Sequence, residues 1–267
     1  MIPEISASKV AGLIGLHKYQ NATEVMYDLL CKDKDLKAKI NDIEKANNRR
    51  PFNKLVNEVL KDGPVRDCVF MGIRSAQTTS DVSAVLNEVE QQAKMILDLR
   101  RDNFSTELRD RIAEEVRGAV SKQRGINNEN TILNSYEVER EVAVTDRNTK
   151  TLRKDFTTFK LIGRTDGFVA AENRIVDSKE RTRFWDTVPL YDEIQLRVYM
   201  AMSDAKESEL IERFPDGKSR HTKFINDPKK WASLHAGIEA AVAKMNLAAT
   251  DPEELKRIVF ANSVVVS

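Results

Sequence analysis

Apolar positions recur at helical spacing through most of the chain's first 122 residues. Val82, Val85, Leu86, Val89, Ala93, Ile96 and Leu97 share one face of a helix expected over 80–99. Leu108, Ile112, Val116 and Val120 share one face of another over 105–122. Phe52, Leu55, Val56, Val59 and Leu60 mark a shorter helix, which the turn residues Asp62-Gly63-Pro64 end. Ser6 and Ser8 precede the run Val10 to Leu16, so they read as caps of an opening helix that Gly15 stops. A second helix is expected from Asn21-Ala22-Thr23-Glu24 through Leu30. Charge dominates 32–50 and reads as a solvated helix face, interrupted by Pro51. The stretch 65–73 fits strand or helix equally well, and Gly125 reads as a break before a further helix that begins near Glu129.

The period then shortens towards two. Stretches 139–144 and 156–162 read as strands leading into a hairpin. That hairpin joins 163–169 to 174–179 through the turn Ala170-Ala171-Glu172-Asn173. A helix over 192–202 follows the break at Val188-Pro189, and a second hairpin, 209–214 with 221–225, turns at Pro215-Asp216-Gly217-Lys218. Two helices close the chain, one from Pro228 and one from Asp251-Pro252. Helices ahead of and behind a group of strands predict an α/β fold.

The hairpin carries the chemistry. Strand side chains alternate, so Asp177 and Lys179 share a face opposite Ser178. Folding at 170–173 brings Asp166 beside Asp177. Two carboxylates and an ammonium in one small volume suit a divalent cation and a phosphoryl group. His17, His221 and His235 are isolated and show no ligand spacing, so they read as surface or satisfied histidines.

Composition narrows the class. The 267 residues are 41% hydrophobic, enough for a sizeable core. Charged residues make up 32% with a net charge of +1, so any basic groove must be local. No apolar run reaches the length of a membrane span, and Met1 to Ile5 lacks signal-peptide character. Cys31 and Cys68 are too few for a disulfide framework or a zinc site and read as buried thiols. Asn21-Ala22-Thr23 and Asn103-Phe104-Ser105 match a glycosylation pattern by chance. The expected location is a reducing intracellular compartment.

Glu129, Asp166, Asp177 and Lys179, taken in order, resemble the PD-(D/E)xK nuclease superfamily, and within it the lambda-exonuclease and YqaJ-like viral recombinase branch. Ile5-Ser6-Ala7-Ser8-Lys9-Val10 resembles that branch's opening helix, Arg124-Gly125 with Glu129 its first acidic motif, and Gln195 with Tyr199 its Q-x-x-x-Y helix. The third-motif acid is Asp177 where the branch usually has glutamate. The arginine that relatives place ahead of the opening helix has no counterpart in Met1 to Glu4, which argues against strict dependence on a 5′-phosphate.

The resemblance implies a restriction-endonuclease-like central mixed β-sheet flanked by helices, with a helical N-terminal block. It implies one nuclease domain over 1–267, with 32–122 an insertion or subdomain, 123–225 the catalytic core and 226–267 the C-terminal helices. Mg2+ or Mn2+ would sit on Asp166, Asp177 and the Ser178 carbonyl, with Glu129 binding through water or helping to hold a second cation. Lys179 would orient the attacking water, and Gln195 would position Lys179 or a phosphate. Ser8, Arg124, Arg164, Arg181 and Tyr199 are the residues expected at DNA. The implied activity is a deoxyribonuclease, foremost an exonuclease on duplex DNA ends in recombination, repair or viral genome processing. A single-strand annealing or replication protein and a homo-oligomer are the implied partners. An endonuclease of the same superfamily and an inactive DNA- or partner-binding protein of this fold are the alternatives.

Overall fold

The computed structural model describes residues 1–100 and 104–265, so Asn103 of the chance glycosylation match lies outside the described residues. The chain opens with β1 (Glu4–Ser6) and α1 (Ala7–Leu13), then α2 (Ala22–Leu30), α3 (Lys34–Ala46) and β2 (Arg49–Pro51). Helices α4 (Phe52–Lys61), α5 (Gly63–Thr78), α6 (Val82–Leu99) and α7 (Thr106–Arg140) follow. Strands β3 (Thr151–Asp155), β4 (Lys160–Arg164), β5 (Gly167–Val169) and β6 (Arg174–Glu180) lead to α8 (Leu190–Ser203). The chain ends with β7 (Glu207–Arg213), β8 (Ser219–Ile225), α9 (Pro228–Thr250), α10 (Pro252–Asn262) and β9 (Ser263–Val265).

The expected mixed α/β architecture is present, its strands hydrogen-bonded in separate sheets. One sheet runs β5-β6-β7-β8, with β6 and β7 parallel and the outer pairs antiparallel. A second runs β1-β4-β3, and β2 pairs with β9. Only Thr165 and Asp166 separate β4 from β5, so the two larger sheets meet at Asp166.

Three apolar clusters hold these layers. The largest packs α1, α2, α3, α8, α9 and α10 against β1, β4, β6 and β7, around Ile5, Leu161, Ile175, Leu196 and Met245. A second lies wholly among α4, α5, α6 and the first half of α7. It is so tight that a Cβ on Gly72 would meet Val89 Cγ2 at 2.5 Å and Val120 Cγ2 at 3.2 Å. A third joins Ile132, Leu133 and Tyr136 of α7 to Val169, Val176 and Ile211. Thus α7 spans both worlds: its first half belongs to the helical block and its second half backs the β5-β6-β7-β8 sheet. The charged stretch 32–50 divides likewise, since Leu36 and Ile40 of α3 join the main cluster.

Several sequence expectations are corrected here. Gly125 does not break a helix; α7 is continuous for 35 residues and places Glu129 in its interior. An interior glycine costs a helix about 1 kcal/mol. The buried anchors on either side, Arg124 before it and Ile132 and Leu133 after it, offset that. The strand expected over 139–144 is absent, because α7 runs to Arg140 and ends at Glu141 in the left-handed conformation. The link beyond is held by Val144 N–H donating to Glu137 Oε1 at 2.7 Å. The ambiguous stretch 65–73 is helical, within α5. The strand expected over 156–162 starts later, at Lys160, and pairs with β3 and β1, both unforeseen. Ser6 occupies the N-cap of α1 without a side-chain cap bond; its hydroxyl lies 3.4 Å from that of Ser8.

Filling the Gly72 contact tests the helical block. Gly72→Leu should lower stability to urea by about 1–3 kcal/mol, as overpacking does in a close-fitted core. A neutral effect would show that α5 and α6 can part freely.

Candidate active site

The β5–β6 ladder ends at Gly167 opposite Val176. Two residues on, Ser178 faces the same way, and on that side β5 no longer pairs with it. Asp166 fills that place: its Oδ2 accepts from Ser178 N–H at 2.7 Å and from Ser178 Oγ at 3.0 Å. A residue's N–H and C=O share a strand edge, so the Ser178 carbonyl also lies on this open edge. The other carboxylate oxygen of Asp166, Oδ1, has no hydrogen-bond partner among the described residues. Gly167 must be glycine here, because a Cβ would meet Val144 Cγ1 at 2.2 Å.

Asp177 and Lys179 share a face as their spacing requires, with Lys179 Nζ 2.5 Å from Asp177 Oδ2. Asp177 is buried at 2% side-chain exposure, whereas the Lys179 side chain keeps 28%. Gln195 Nε2 donates to the Tyr199 hydroxyl at 2.9 Å and lies 3.4 Å from Asp177 Oδ1. Tyr199 in turn donates to the Arg164 carbonyl at 2.9 Å. This chain of bonds runs from α8 across to the end of β4. Gln195 therefore steadies Asp177, not Lys179.

Glu129 faces the same centre from α7. The Asn148 side-chain amide donates to Glu129 Oε1, and Asn148 N–H donates to the Asp166 carbonyl at 3.3 Å. Asn148 holds the left-handed conformation at φ 50°, which asparagine tolerates better than most residues.

The charges respond to one another. Burial pushes the Asp177 carboxyl up to about 7, and the nearby Asp166 charge adds to this against the pull of Lys179. Burial also raises Asp166, with Glu129 adding to it and Lys179 opposing. For Lys179, burial alone would lower the ammonium, but Asp177, Asp166 and Asp192 together outweigh it and hold it well above its ordinary value. The centre thus carries negative charge that one ammonium leaves incompletely neutralised.

These donors fit a hard divalent cation. Among the described residues no three histidine, cysteine or acidic side chains form a ready-made cage. Magnesium needs none, since it keeps several waters and takes one or two carboxylates. Asp166, Asp177 and the Ser178 carbonyl supply hard oxygens of that kind.

The residues expected at DNA divide. Ser8 and Arg164 are exposed. Arg124 and Arg181 are instead buried in the fold. Arg124 donates to the Ala76 carbonyl at 3.0 Å and to Glu180 at 2.6 Å. Arg181 donates to Glu212 at 2.8 Å and to Asp192 at 2.7 Å. Tyr199 is buried as well, and its hydroxyl is committed to the protein. An arginine facing buried acids cannot be told from a solvated one by sequence alone. Asp192 and Asn148 were not singled out in the sequence. Asp192 lies one helical turn before Gln195, a spacing that could have suggested it.

The raised Asp177 carboxyl has a consequence for stability. An acid whose folded value lies above its unfolded one favours folding when protonated. That contribution is lost as pH rises from about 4 through about 7. Asp177→Asn should therefore raise the melting temperature of metal-free protein at pH 8 and change it little at pH 4. An equal change at both values would mean that the buried charge is already balanced.

A search of curated proteins finds no match to this chain. Among solved structures it is similar to an alkaline exonuclease from Laribacter hongkongensis, at 16% identity and TM-score 0.42, over 70% of this chain and 90% of that one. The complex of that exonuclease with dAMP overlaps at TM-score 0.42 and 15% identity, over 70% of this chain and 90% of that one. A phage-related exonuclease from Haemophilus somnus overlaps at TM-score 0.40 and 15% identity, over 49% of this chain and 72% of that one. The family model of the PD-(D/E)XK nuclease superfamily matches residues 54–260, a span that includes Glu129, Asp166, Asp177, Lys179 and Gln195. With most of its length matched by that model, the chain belongs to the PD-(D/E)XK nuclease superfamily.

Proposed function

We propose that the chain is a divalent-metal-dependent deoxyribonuclease that works as an exonuclease on duplex DNA ends. The observation that carries this reading is the meeting of Asp166, Asp177 and Lys179 around Ser178 on the open edge of β6. Membership of the superfamily is in keeping with it.

Asp166, Asp177 and the Ser178 carbonyl would hold the cation, with Glu129 joining through water. When bound, Mg2+ or Mn2+ supplies acidification of water and neutralisation of phosphate charge. Lys179 stays protonated, orients the attacking water and stabilises the negative charge that grows on phosphorus. Gln195 and Tyr199 keep Asp177 in place from α8. Arg164 and Ser8, both exposed, are the groups left to meet DNA phosphates. Processing of DNA ends in recombination, repair or viral replication is the setting this chemistry serves.

End-labelled linear DNA and covalently closed DNA, each with magnesium or manganese, give the direct test. Loss of label from the linear substrate with sparing of the closed one is expected. Equal attack on both would make the chain an endonuclease, and no attack on either would leave a DNA-binding protein of this fold. Asp166→Asn and Lys179→Ala should each lower cleavage at least a hundredfold, the scale of losing one electrostatic stabiliser. Both variants should still bind DNA, more weakly as salt rises.

A further inference from the structure

Beside the carboxylates lies a cluster of rings and cations that the cleavage chemistry does not use. The segment after α1 and the segment after β6 meet there. His17 stacks on Tyr191 with ring centroids 4.3 Å apart and planes at 27°. Tyr19 stands edge-on to both rings, its centroid 6.3 Å from each. Lys18 Nζ sits 5.4 Å from the Tyr19 ring and 5.6 Å from the Trp185 ring, joining the two segments. The Arg183 guanidinium lies over Trp185 at 4.5 Å.

Core packing does not account for this cluster. Tyr19 is 58% exposed, and none of these rings except Tyr191 packs against an apolar cluster. The platform is nevertheless held in place. Arg220 donates to the Trp185 and Asp186 carbonyls at 2.6 and 3.2 Å, and Ser83 Oγ donates to the Thr182 carbonyl at 3.2 Å. Tyr19 N–H donates to His17 Nδ1 at 3.0 Å, fixing the turn between the two rings.

Position ties the cluster to the centre. The Arg183–Trp185 segment continues directly from the strand bearing Asp177 and Lys179. Tyr191 precedes Asp192, whose carboxylate holds Arg181 and faces Lys179. Tyr19 is exposed and His17, Trp185 and Tyr191 are half-buried. Solvent-reaching rings flanked by cations are the chemistry that takes unpaired bases, with the rings stacking on base faces and the cations meeting the phosphates between them. We propose that His17, Lys18, Tyr19, Arg183, Trp185 and Tyr191 form a stacking platform for the unpaired nucleobases of a DNA strand leading to the Asp166–Asp177 centre. This rests on the nuclease reading for its purpose and on the ring geometry for its chemistry.

The chain has two tryptophans, and Trp231 packs on Phe156 and His235. In a Trp231→Phe background, Trp185 therefore reports the platform alone. The probe is an eight-nucleotide oligothymidylate, compared with an abasic strand of equal phosphate number, both in EDTA to prevent cleavage. Oligothymidylate should quench Trp185 and bind about tenfold or more tightly than the abasic strand, the scale of one base–aromatic stack. Tyr19→Ala should weaken the oligothymidylate by a similar factor and leave the abasic strand unchanged. Equal affinity for both strands, or unchanged Trp185 emission at saturation, would overturn the platform and leave a merely electrostatic surface. A parallel magnesium cleavage assay separates the two claims. Cleavage without base-dependent quenching removes the platform alone, whereas base-dependent quenching without cleavage under any divalent cation removes the nuclease reading alone.

Discussion

The site depends on one hydrogen bond that replaces a strand. Where β5 stops pairing, Ser178 would be left with an unmet N–H on the sheet edge, and Asp166 Oδ2 meets it at 2.7 Å. An unmet buried donor is costly, so the ladder's end fixes where the Asp166 carboxylate must sit. That bond uses one oxygen of Asp166 and leaves the other without a hydrogen-bond partner among the described residues. The alternation of β6 then sets Asp177 and Lys179 beside it. A short strand ending early thus becomes a device that gathers charge.

Gathered charge needs support from behind. Glu180 and Glu212 take up Arg124, Arg213, Arg181 and Arg220 in a network at the end of β6 and β7. Buried ion pairs of this kind contribute little net stability, yet losing one partner is expensive. Their role here is placement. Arg124 ties α7 to both β6 and the Ala76 carbonyl of α5, so the helical block is locked to the strand that carries Asp177 and Lys179. Glu129, just over one helical turn beyond Arg124, inherits that fixed position. The block's own core, separate from the main one, makes it a stiff frame that holds the first acid of the set.

Much of this was legible in the sequence, and the remainder was hidden for physical reasons. The hairpin through 170–173 and the shared face of Asp177 and Lys179 follow from strand periodicity alone. The helices over 80–99 and from Pro228 follow from apolar stripes that nothing interrupts. Gly125 misled because glycine is only a weak helix breaker once tertiary anchors lie on both sides. Arg124 and Arg181 misled because an arginine's partner depends on which acid faces it across the fold. The short strands β1, β2 and β9 have three residues each, too few to show a period. Asn148 contributes through a left-handed turn, a conformation that no apolar pattern announces.

A cation held jointly by the Asp166 and Asp177 carboxylates is the point on which the proposed chemistry turns. Electron paramagnetic resonance of Mn2+ added to the DNA-free protein measures it directly. Loss of the free-ion signal at a saturable site is expected in the wild type, with recovery of that signal in Asp166→Asn and in Asp177→Asn alike. Undiminished Mn2+ binding in both variants would contradict it.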